Sequence, residues 1–453
     1  MQVARDVRDR DSIFIELTRS ICPVCRKILD AQIHVRNGSV YMKKRCPDHG
    51  WFEGIISSDA QMYMDASRFN RPGRIPRQFS SEVREGCPLD CGLCPDHQQH
   101  TCVGIIEVTQ SCNLRCPTCF TDSPAETRLS LTQVENILDN FVRAEGDPEV
   151  VQFSGGEPSI HPEILEMLEA AKERGIKYIM LNSNGVRISR DLGFVEELSR
   201  LGVVVYLQFD GFSPSTYERI RGLDLTQVKR DAITNLAEHD VDTVLVSTVQ
   251  RGVNESEMGK IVDYAIETPS VKGVVFQPTF YTGRHPDFDP MNRVTLPDVV
   301  KGIASQSTFG FRETDFVPIP CCFPTCSSAT YVYVDGNTVV PLPRAVNVED
   351  YLDYFKNRTV VDIDKIIQGA FDSLYSASSI PGSKKMLENY CTICGIPFDF
   401  GELKGKVKMI MIQPFPDPYT FNVKQVMKCC VHELLPDGRI IPFCAYNNLY
   451  RHH

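Results

Sequence analysis

Short apolar runs alternate with amphipathic stretches across the middle of the chain. The runs lie near residues 103–109, 149–153, 177–182, 203–208, 242–249 and 272–277, and each has the length of a buried strand. Between them, Ser130 is placed to cap one helix, and Pro162 to occupy the first turn of another. Six strand–helix units in series require a parallel sheet with right-handed crossovers. The pattern therefore predicts an α/β fold in which the sheet curls into an open partial barrel.

The alternation stops after residue 285, which indicates a change of domain. Asp335-Gly336 lies between two strand-like segments further on, and Asn37-Gly38 does so near the N terminus, as in β-hairpins. We predict four regions, namely a metal ribbon, a linker with cysteines, the partial barrel and a cysteine-rich α+β domain, at residues 1–56, 57–102, 103–284 and 285–453.

Composition narrows the class of protein. A chain of 453 residues with 42% apolar content can bury a large core in two or three domains. The net charge of −10 argues against a nucleic-acid partner, because binding phosphates needs clustered Lys and Arg. No run resembles a membrane span or a signal peptide, so we expect a cytoplasmic protein. Eighteen cysteines in such a chain indicate metal binding in a reducing compartment.

Three cysteines follow the first predicted barrel strand, at Cys112, Cys116 and Cys119. Thiolates at this spacing can bind three corners of one iron–sulfur cube and leave the fourth iron open to a small chelating molecule. A zinc knuckle is the alternative, but zinc prefers four protein ligands and no obvious fourth lies nearby.

The next predicted strand ends in a second special loop, Gly155-Gly156-Glu157. Glycine lets a backbone approach a ligand closely, and the Glu157 carboxylate can receive an ammonium group. Together the two loops resemble those of the radical S-adenosylmethionine (SAM) superfamily. The resemblance implies a (βα)6 barrel, a SAM-binding 4Fe-4S cluster on the three cysteines, and a Gly-Gly-Glu loop that holds the methionine amino group. It also implies reductive cleavage of SAM to a 5′-deoxyadenosyl radical.

Later strand ends offer further polar groups to the same mouth of the barrel. Ser183, Asn184 and Asp210 are suited to ribose hydroxyls, because amide and carboxylate oxygens accept hydrogen bonds from O–H groups. Arg219 or Arg221 could pair with the methionine carboxylate, and we select Arg219. In the alternative interpretation, Asn184 belongs to a simple turn and the arginines to a solvated face.

The N-terminal region carries four ligands for a mononuclear metal. Cys22 and Cys25 form one knuckle, Cys46 and His49 form a second, and the Asn37-Gly38 hairpin lies between them. A metal can replace the core that so small a module lacks. Zinc suits this set and iron is the alternative. If His49 is only a surface residue, another cysteine completes the site.

Two further cysteine groups predict auxiliary clusters. The first comprises Cys87, Cys91 and Cys94, with Cys102 as the fourth ligand, and a second zinc site with His97 or His100 nearby is the alternative. The second group lies in the C-terminal region, and its most economical ligand set is Cys391, Cys394, Cys430 and Cys444. Cys321, Cys322 and Cys326 are then spare or replace one of these. Buried free cysteines are the alternative for several of them.

The layout along nearly the whole chain resembles one branch of the superfamily. That branch contains tetraether lipid synthases and hydroxymethylpterin methyltransferases. The resemblance implies C–C bond formation at an unactivated carbon, and we expect coupling of lipid tails, with methylation of a pterin or other small molecule as the alternative. A structural metal-binding adaptor is a remoter hypothesis. We expect reduced ferredoxin or flavodoxin as electron donor and a lipid or small-molecule substrate, and peripheral membrane contact stays open.

Overall fold

Two β-sheets organise the computed structural model, which describes residues 12–121, 127–286, 288–320, 322–344 and 406–451. One sheet has four strands and lies near the N terminus, and the other has twelve. The predicted class is confirmed, because a parallel β/α core carries an N-terminal antiparallel ribbon and a C-terminal region of mixed α and β structure.

The ribbon is a four-stranded antiparallel meander. Its strands, in sheet order, are β1 (Ile13–Ile21), β2 (Ile28–Arg36), β3 (Ser39–Cys46) and β4 (Gly50–Ser57). Asn37 and Gly38 join β2 to β3 with φ angles of 51° and 76°, which confirms the predicted hairpin. Its small core contains Ala31, Ile33, Val40 and Met42, so the sheet has little apolar surface of its own to bury.

The centre of the large sheet is the predicted series of six parallel strands. They are β5 (Val103–Thr109), β6 (Val150–Gly155), β7 (Tyr178–Ser183), β8 (Val204–Gln208), β9 (Thr243–Val249) and β10 (Val271–Pro278), within two residues of the predicted bounds at each end. Neighbours in the sequence are neighbours in the sheet, as is usual for strand–helix units in series.

Strands from beyond residue 285 extend this series at both edges. They are β11 (Val317–Pro318), β12 (Ser328–Asp335), β13 (Thr338–Pro341), β14 (Val407–Ile412), β15 (Val431–Leu434) and β16 (Ile440–Pro442). Strand β14 runs parallel to β10, and β15 runs parallel to β5. The C-terminal region thus builds both sides of the barrel, while the predicted division at residue 284 stays a prediction.

Helix α1 (Ala60–Asp65) follows the ribbon and contacts β3. The helices along the parallel strands are α2 (Leu131–Glu145), α3 (Ile164–Glu173), α4 (Leu192–Leu201), α5 (Pro214–Arg221), α6 (Thr226–Glu238), α7 (Met258–Glu267) and α8 (Leu296–Gln306). Two short helices, α9 (Val423–Met427) and α10 (Phe443–Ala445), contact β1 and β15. Ser130 forms a capping box with Gln133 at the start of α2, whereas Pro162 lies in a turn before α3. Within the described ranges, no helix has the length and apolar character needed to cross a bilayer.

The ribbon is fastened to the barrel by polar contacts along one side. The buried Lys44 ammonium donates to the carbonyl oxygen of Tyr419 at 3.1 Å, and the Thr18 hydroxyl donates to Asn422 Oδ1 at 2.7 Å. An ion pair of 2.6 Å joins Lys301 to Asp59. These contacts place the ribbon beside residues 417–422 and the start of α8.

Candidate functional site

The loop that carries Cys112, Cys116 and Cys119 leaves the carboxyl end of β5 and is held by two neighbouring segments. The amide of Glu157 donates to the Ser111 carbonyl at 3.0 Å. Cys119 exchanges two backbone hydrogen bonds with Arg284, at 2.9 and 2.8 Å. Cys112 is exposed, the other two cysteines are half-buried, and all three line one cavity. The fold thus brings the three predicted cluster ligands to one wall of the cavity.

The Gly-Gly-Glu loop packs directly under the cysteine loop. Gly155 has φ of +124°, and a Cβ built on Gly156 would lie 2.4 Å from the Ser111 carbonyl oxygen. A side chain at either position would push the two loops apart. Both glycines and Glu157 line the same cavity as the cysteines.

Glu157 is completely enclosed and is held by short hydrogen bonds. Its carboxylate accepts from Ser183 Oγ at 2.9 Å, from the Asn184 amide at 2.7 Å and from the Ser159 amide at 3.2 Å. Burial raises the pKa of Glu157, and these donors oppose that shift. An ammonium group would supply the positive charge that a buried carboxylate needs as a partner. Glu157 therefore fits the amino group of SAM.

The predicted ribose and carboxylate contacts fall into two sets. Ser183 and Asn184 line the cavity. Asn184 Nδ2 donates to Asn113 Oδ1 at 2.7 Å and lies 4.0 Å from Cys112 Sγ, so Asn184 joins this strand end to the cysteine loop. Asp210 is fully buried and bonded to Arg221, and exposed Arg219 donates to the Gly252 carbonyl. Arg221, rather than Arg219, reaches the cavity wall.

The cavity bounded by the described residues has a volume of about 410 Å³, within the range of small-molecule sites. Much of its wall is apolar, including Met180, Met409, Met411, Phe415 and Phe443. One strip is polar, because the Gln152 amide donates to Asn182 Oδ1 and Asn182 Nδ2 donates to Ser154 Oγ. This strip was not predicted from the sequence, although Gln152 and Ser154 alternate with apolar residues in β6, as side chains on one face of a strand do.

The ribbon brings its four predicted ligands together. The ligand atoms of Cys22, Cys25, Cys46 and His49 all lie within 4.8 Å of one another. His49 Nδ1 is 3.4 Å from Cys46 Sγ and 3.7 Å from Cys22 Sγ. Three sulfurs and one imidazole nitrogen at these separations fit a tetrahedral zinc or iron ion.

Only part of the first auxiliary set comes together. Cys87, Cys91 and Cys94 surround a small depression. Cys102 instead packs with Cys322 and Cys430, and its sulfur lies 3.6 Å from His100 Nε2. The fourth ligand of this group therefore stays a prediction.

The C-terminal cysteines meet at the cavity in a grouping that sequence order did not indicate. Cys322, Cys326, Cys429 and Cys444 are free thiols and, together with Cys430, line the same cavity as Cys112, Cys116 and Cys119. Of the predicted set, Cys430 and Cys444 lie here, whereas Cys391 and Cys394 are outside the described residues. The adjacent pair Cys429-Cys430 was the available signal, but it did not reveal which distant cysteines would join it at the cavity.

Two family profiles match the chain. Residues 106–265 match the radical SAM superfamily, and residues 14–58 match the HMPTM N-terminal zinc ribbon domain. The first match runs from within β5 to within α7 and includes the cysteine loop and the Gly-Gly-Glu loop. The second covers all four ligands of the ribbon.

Similar proteins extend this likeness over the full chain. A 7,8-dihydro-6-hydroxymethylpterin dimethyltransferase of Methanocaldococcus jannaschii is 33% identical, and the match covers 96% of this chain and 94% of that protein. A probable GTP 3′,8-cyclase of Methanothermobacter thermautotrophicus is 29% identical over 38% of this chain and 55% of its own length. Among solved structures, Streptococcus suis SuiB bound to S-adenosylmethionine has 16% identity and a TM-score of 0.36, covering 43% of this chain and 44% of that one.

Proposed function

The chain belongs to the radical SAM superfamily, in the branch similar to hydroxymethylpterin methyltransferases, and from this premise we propose that it methylates a carbon of a reduced pterin or a similar small ring. Membership makes the chain an enzyme that uses a 4Fe-4S cluster and SAM, which removes the structural-adaptor hypothesis. The relative named a pterin dimethyltransferase, matched over 94% of its length, is the observation that carries the proposal. It favours the alternative of the sequence analysis over the coupling of lipid tails.

Some residues of the cavity bind the cluster and SAM, and others exclude water. When bound, the cluster and SAM supply a 5′-deoxyadenosyl radical, which abstracts hydrogen from an unactivated carbon. Cys112, Cys116 and Cys119 hold the cluster, and Glu157 receives the SAM ammonium. Phe415 and Phe443 keep water from the reacting carbon.

The polar strip provides a reason to favour a ring substrate. A pterin edge presents donors and acceptors side by side, and the amides of Gln152 and Asn182 offer both kinds of group. A hydrocarbon tail has no donor or acceptor for the sites on these amides that their existing hydrogen bonds leave open.

Coupling of lipid tails is the second candidate, and the apolar wall favours it. Met180, Met409 and Met411 give a flexible apolar surface on which an alkyl chain could lie. This candidate uses the same cysteine loop and the same Glu157. A reduced ferredoxin or flavodoxin as electron donor stays a prediction for either reaction.

The test is an anaerobic assay of the reconstituted enzyme with dithionite and SAM, offered 7,8-dihydro-6-hydroxymethylpterin or an archaeal-type diether lipid in separate reactions. If SAM is the methyl donor, methyl transfer predicts a methylated pterin, 5′-deoxyadenosine and S-adenosylhomocysteine. Lipid coupling predicts a joined product, 5′-deoxyadenosine and methionine, without S-adenosylhomocysteine. An unchanged pterin alongside a coupled lipid would reject the first candidate. Cys116→Ala is the inactive control in both reactions.

A further inference from the structure

A buried ion pair lies behind the cysteine loop. Asp210 is fully buried, and Arg221 donates to it twice, from Nε at 2.7 Å and from Nη2 at 2.9 Å. The Asp210 carboxylate also accepts from the Thr248 amide at 3.0 Å and from the Gln208 side chain. Arg221 Nη2 donates in addition to Thr248 Oγ1 at 2.8 Å. Both side chains are therefore held in one orientation, and the Asp210 carboxylate has few acceptor sites left for another donor.

The carboxyl end of α5 places this ion pair next to the cysteine loop. Arg221 is the last residue of this helix, and the Thr118 amide donates to the Ile220 carbonyl at 3.2 Å. A Cβ on Gly222 would lie 3.3 Å from the ring of Pro117. Arg221 lines the same cavity as Cys116 and Cys119. Helix α5 therefore ends with a cation beside the cluster site.

A fixed cation at a cluster ligand changes how readily the cluster accepts an electron. Hydrogen bonds to the cysteine sulfurs and nearby charge both set the reduction potential of iron–sulfur clusters. The reduced cluster carries one more negative charge than the oxidised cluster. A buried guanidinium therefore stabilises the reduced form, whereas the Asp210 carboxylate opposes this effect.

We propose that Arg221, oriented by Asp210 and Thr248, is a positioning residue that raises the reduction potential of the cluster bound by Cys112, Cys116 and Cys119. The proposal rests on the proposed function only in its use of that cluster. One electron passes from an external reductant to the cluster, and no bond forms or breaks. Arg221 and Asp210 act in opposite directions, so their variants should shift the potential with opposite signs.

The experiment is a potentiometric titration of the full-length reconstituted enzyme, read by electron paramagnetic resonance without SAM or substrate. The signal of this cluster is isolated by subtracting the spectrum of Cys112→Ala. In Arg221→Gln, the ratio of reduced to oxidised cluster at a fixed potential should fall about tenfold, which corresponds to 59 mV for one electron. In Asp210→Asn the ratio should rise, because the arginine charge loses its opposing carboxylate.

Matched variants distinguish a change in the reduction potential of the cluster from damage to the fold. Arg174→Gln breaks an arginine–aspartate pair of the same 2.7 Å length, with the exposed Asp139 away from the cavity, and should leave the ratio unchanged. If Arg221→Gln does not bind its cluster, Arg221→Lys, which keeps the charge but loses the two-point pairing, and Asp210→Asn decide the question. An unchanged ratio in loaded Arg221→Gln, or a fall in Asp210→Asn, overturns the proposal. Failure of pterin methylation leaves this measurement unaffected, because no substrate is present.

Discussion

Lys229 is a buried cation that lies behind the residues assigned to SAM. It projects from α6, is almost completely enclosed, and donates to the Asn184 carbonyl at 2.6 Å and to Gln208 Oε1 at 2.9 Å. Burial lowers the pKa of Lys229 to about 7, because the charged form loses its hydration. A neutral amine can still donate both hydrogen bonds, so the side chain can fasten the Ser183–Asn184 strand end in either state.

We predict that the difference in the free energy of unfolding between the wild type and Lys229→Met depends on pH. Below pH 7 the lysine is charged in both the folded and the unfolded protein, and the folded state carries the whole cost of burying it. Above pH 7 only the unfolded chain, with a lysine pKa near 10.4, still binds the proton, so stability rises with pH. The free energy of unfolding of the wild type relative to Lys229→Met should increase by about 2 kcal/mol between pH 7 and pH 9.

Anaerobic urea denaturation at the two pH values measures this difference. Lys172→Met removes an exposed lysine on α3 and should show no such change. A difference for Lys229→Met that stays constant from pH 7 to pH 9 would show that the lysine is not deprotonated in the fold.

At the scale of elements, the segment after β10 supports the cysteine loop. Residues Cys119 and Arg284 form an isolated antiparallel bridge, and Gly283 precedes it with φ of +65°. A Cβ on Gly283 would lie 2.2 Å from the Cys119 carbonyl oxygen. The bridge therefore requires glycine both for its backbone conformation and for the close approach of the two segments.

Gly283→Ala should move the cysteine loop and impair the chemistry that depends on it. We expect a fall of about tenfold or more in 5′-deoxyadenosine formation, because sub-ångström errors in placing reacting groups are costly. Gly310→Ala is a matched control, since Gly310 has the same φ of +65° but no atom within 4 Å of the added Cβ. The comparison uses iron content and 5′-deoxyadenosine rate, and equal rates for the two variants would contradict the role given to the bridge.

At the scale of the whole molecule, the ribbon and the barrel share an interface. Tyr281, in the segment after β10, packs against Tyr419 with ring centroids 5.3 Å apart and donates its amide to Asp417 Oδ2 at 2.9 Å. Lys44 of the ribbon bonds to Tyr419 from the other side. The ribbon thus supports a segment that also holds Cys119.

Loss of the ribbon metal should lower stability without removing the iron–sulfur clusters. We expect Cys25→Ser to lose one equivalent of mononuclear metal and to lower Tm by several degrees, because the metal replaces a core in this sheet. His49→Cys, which keeps four ligands, should retain the metal and the Tm. Metal analysis together with calorimetry under anaerobic conditions tests both variants. An unchanged Tm in metal-free Cys25→Ser would show that the ribbon does not depend on its ion.

The sequence determined the features that depend on neighbouring residues. The spacing of Cys112, Cys116 and Cys119 and the Gly155-Gly156-Glu157 loop led to the superfamily, its cofactors and the α/β class. Periodicity located the six central strands, and the Asn37-Gly38 turn located the ribbon hairpin. These features depend on local backbone conformation and on the period of buried positions, and a single chain displays both.

Only the tertiary structure decided which distant segments meet. It placed β14 beside β10 and β15 beside β5, gathered Cys322, Cys326, Cys429 and Cys444 at the cavity, and paired Asp210 with Arg221. Periodicity shows which face of a strand is buried but not which strand lies next to it, and cysteines far apart in the chain carry no mark of their partners. These pairings result from packing across the whole sheet, because burial and hydrogen bonding are satisfied there by segments hundreds of residues apart.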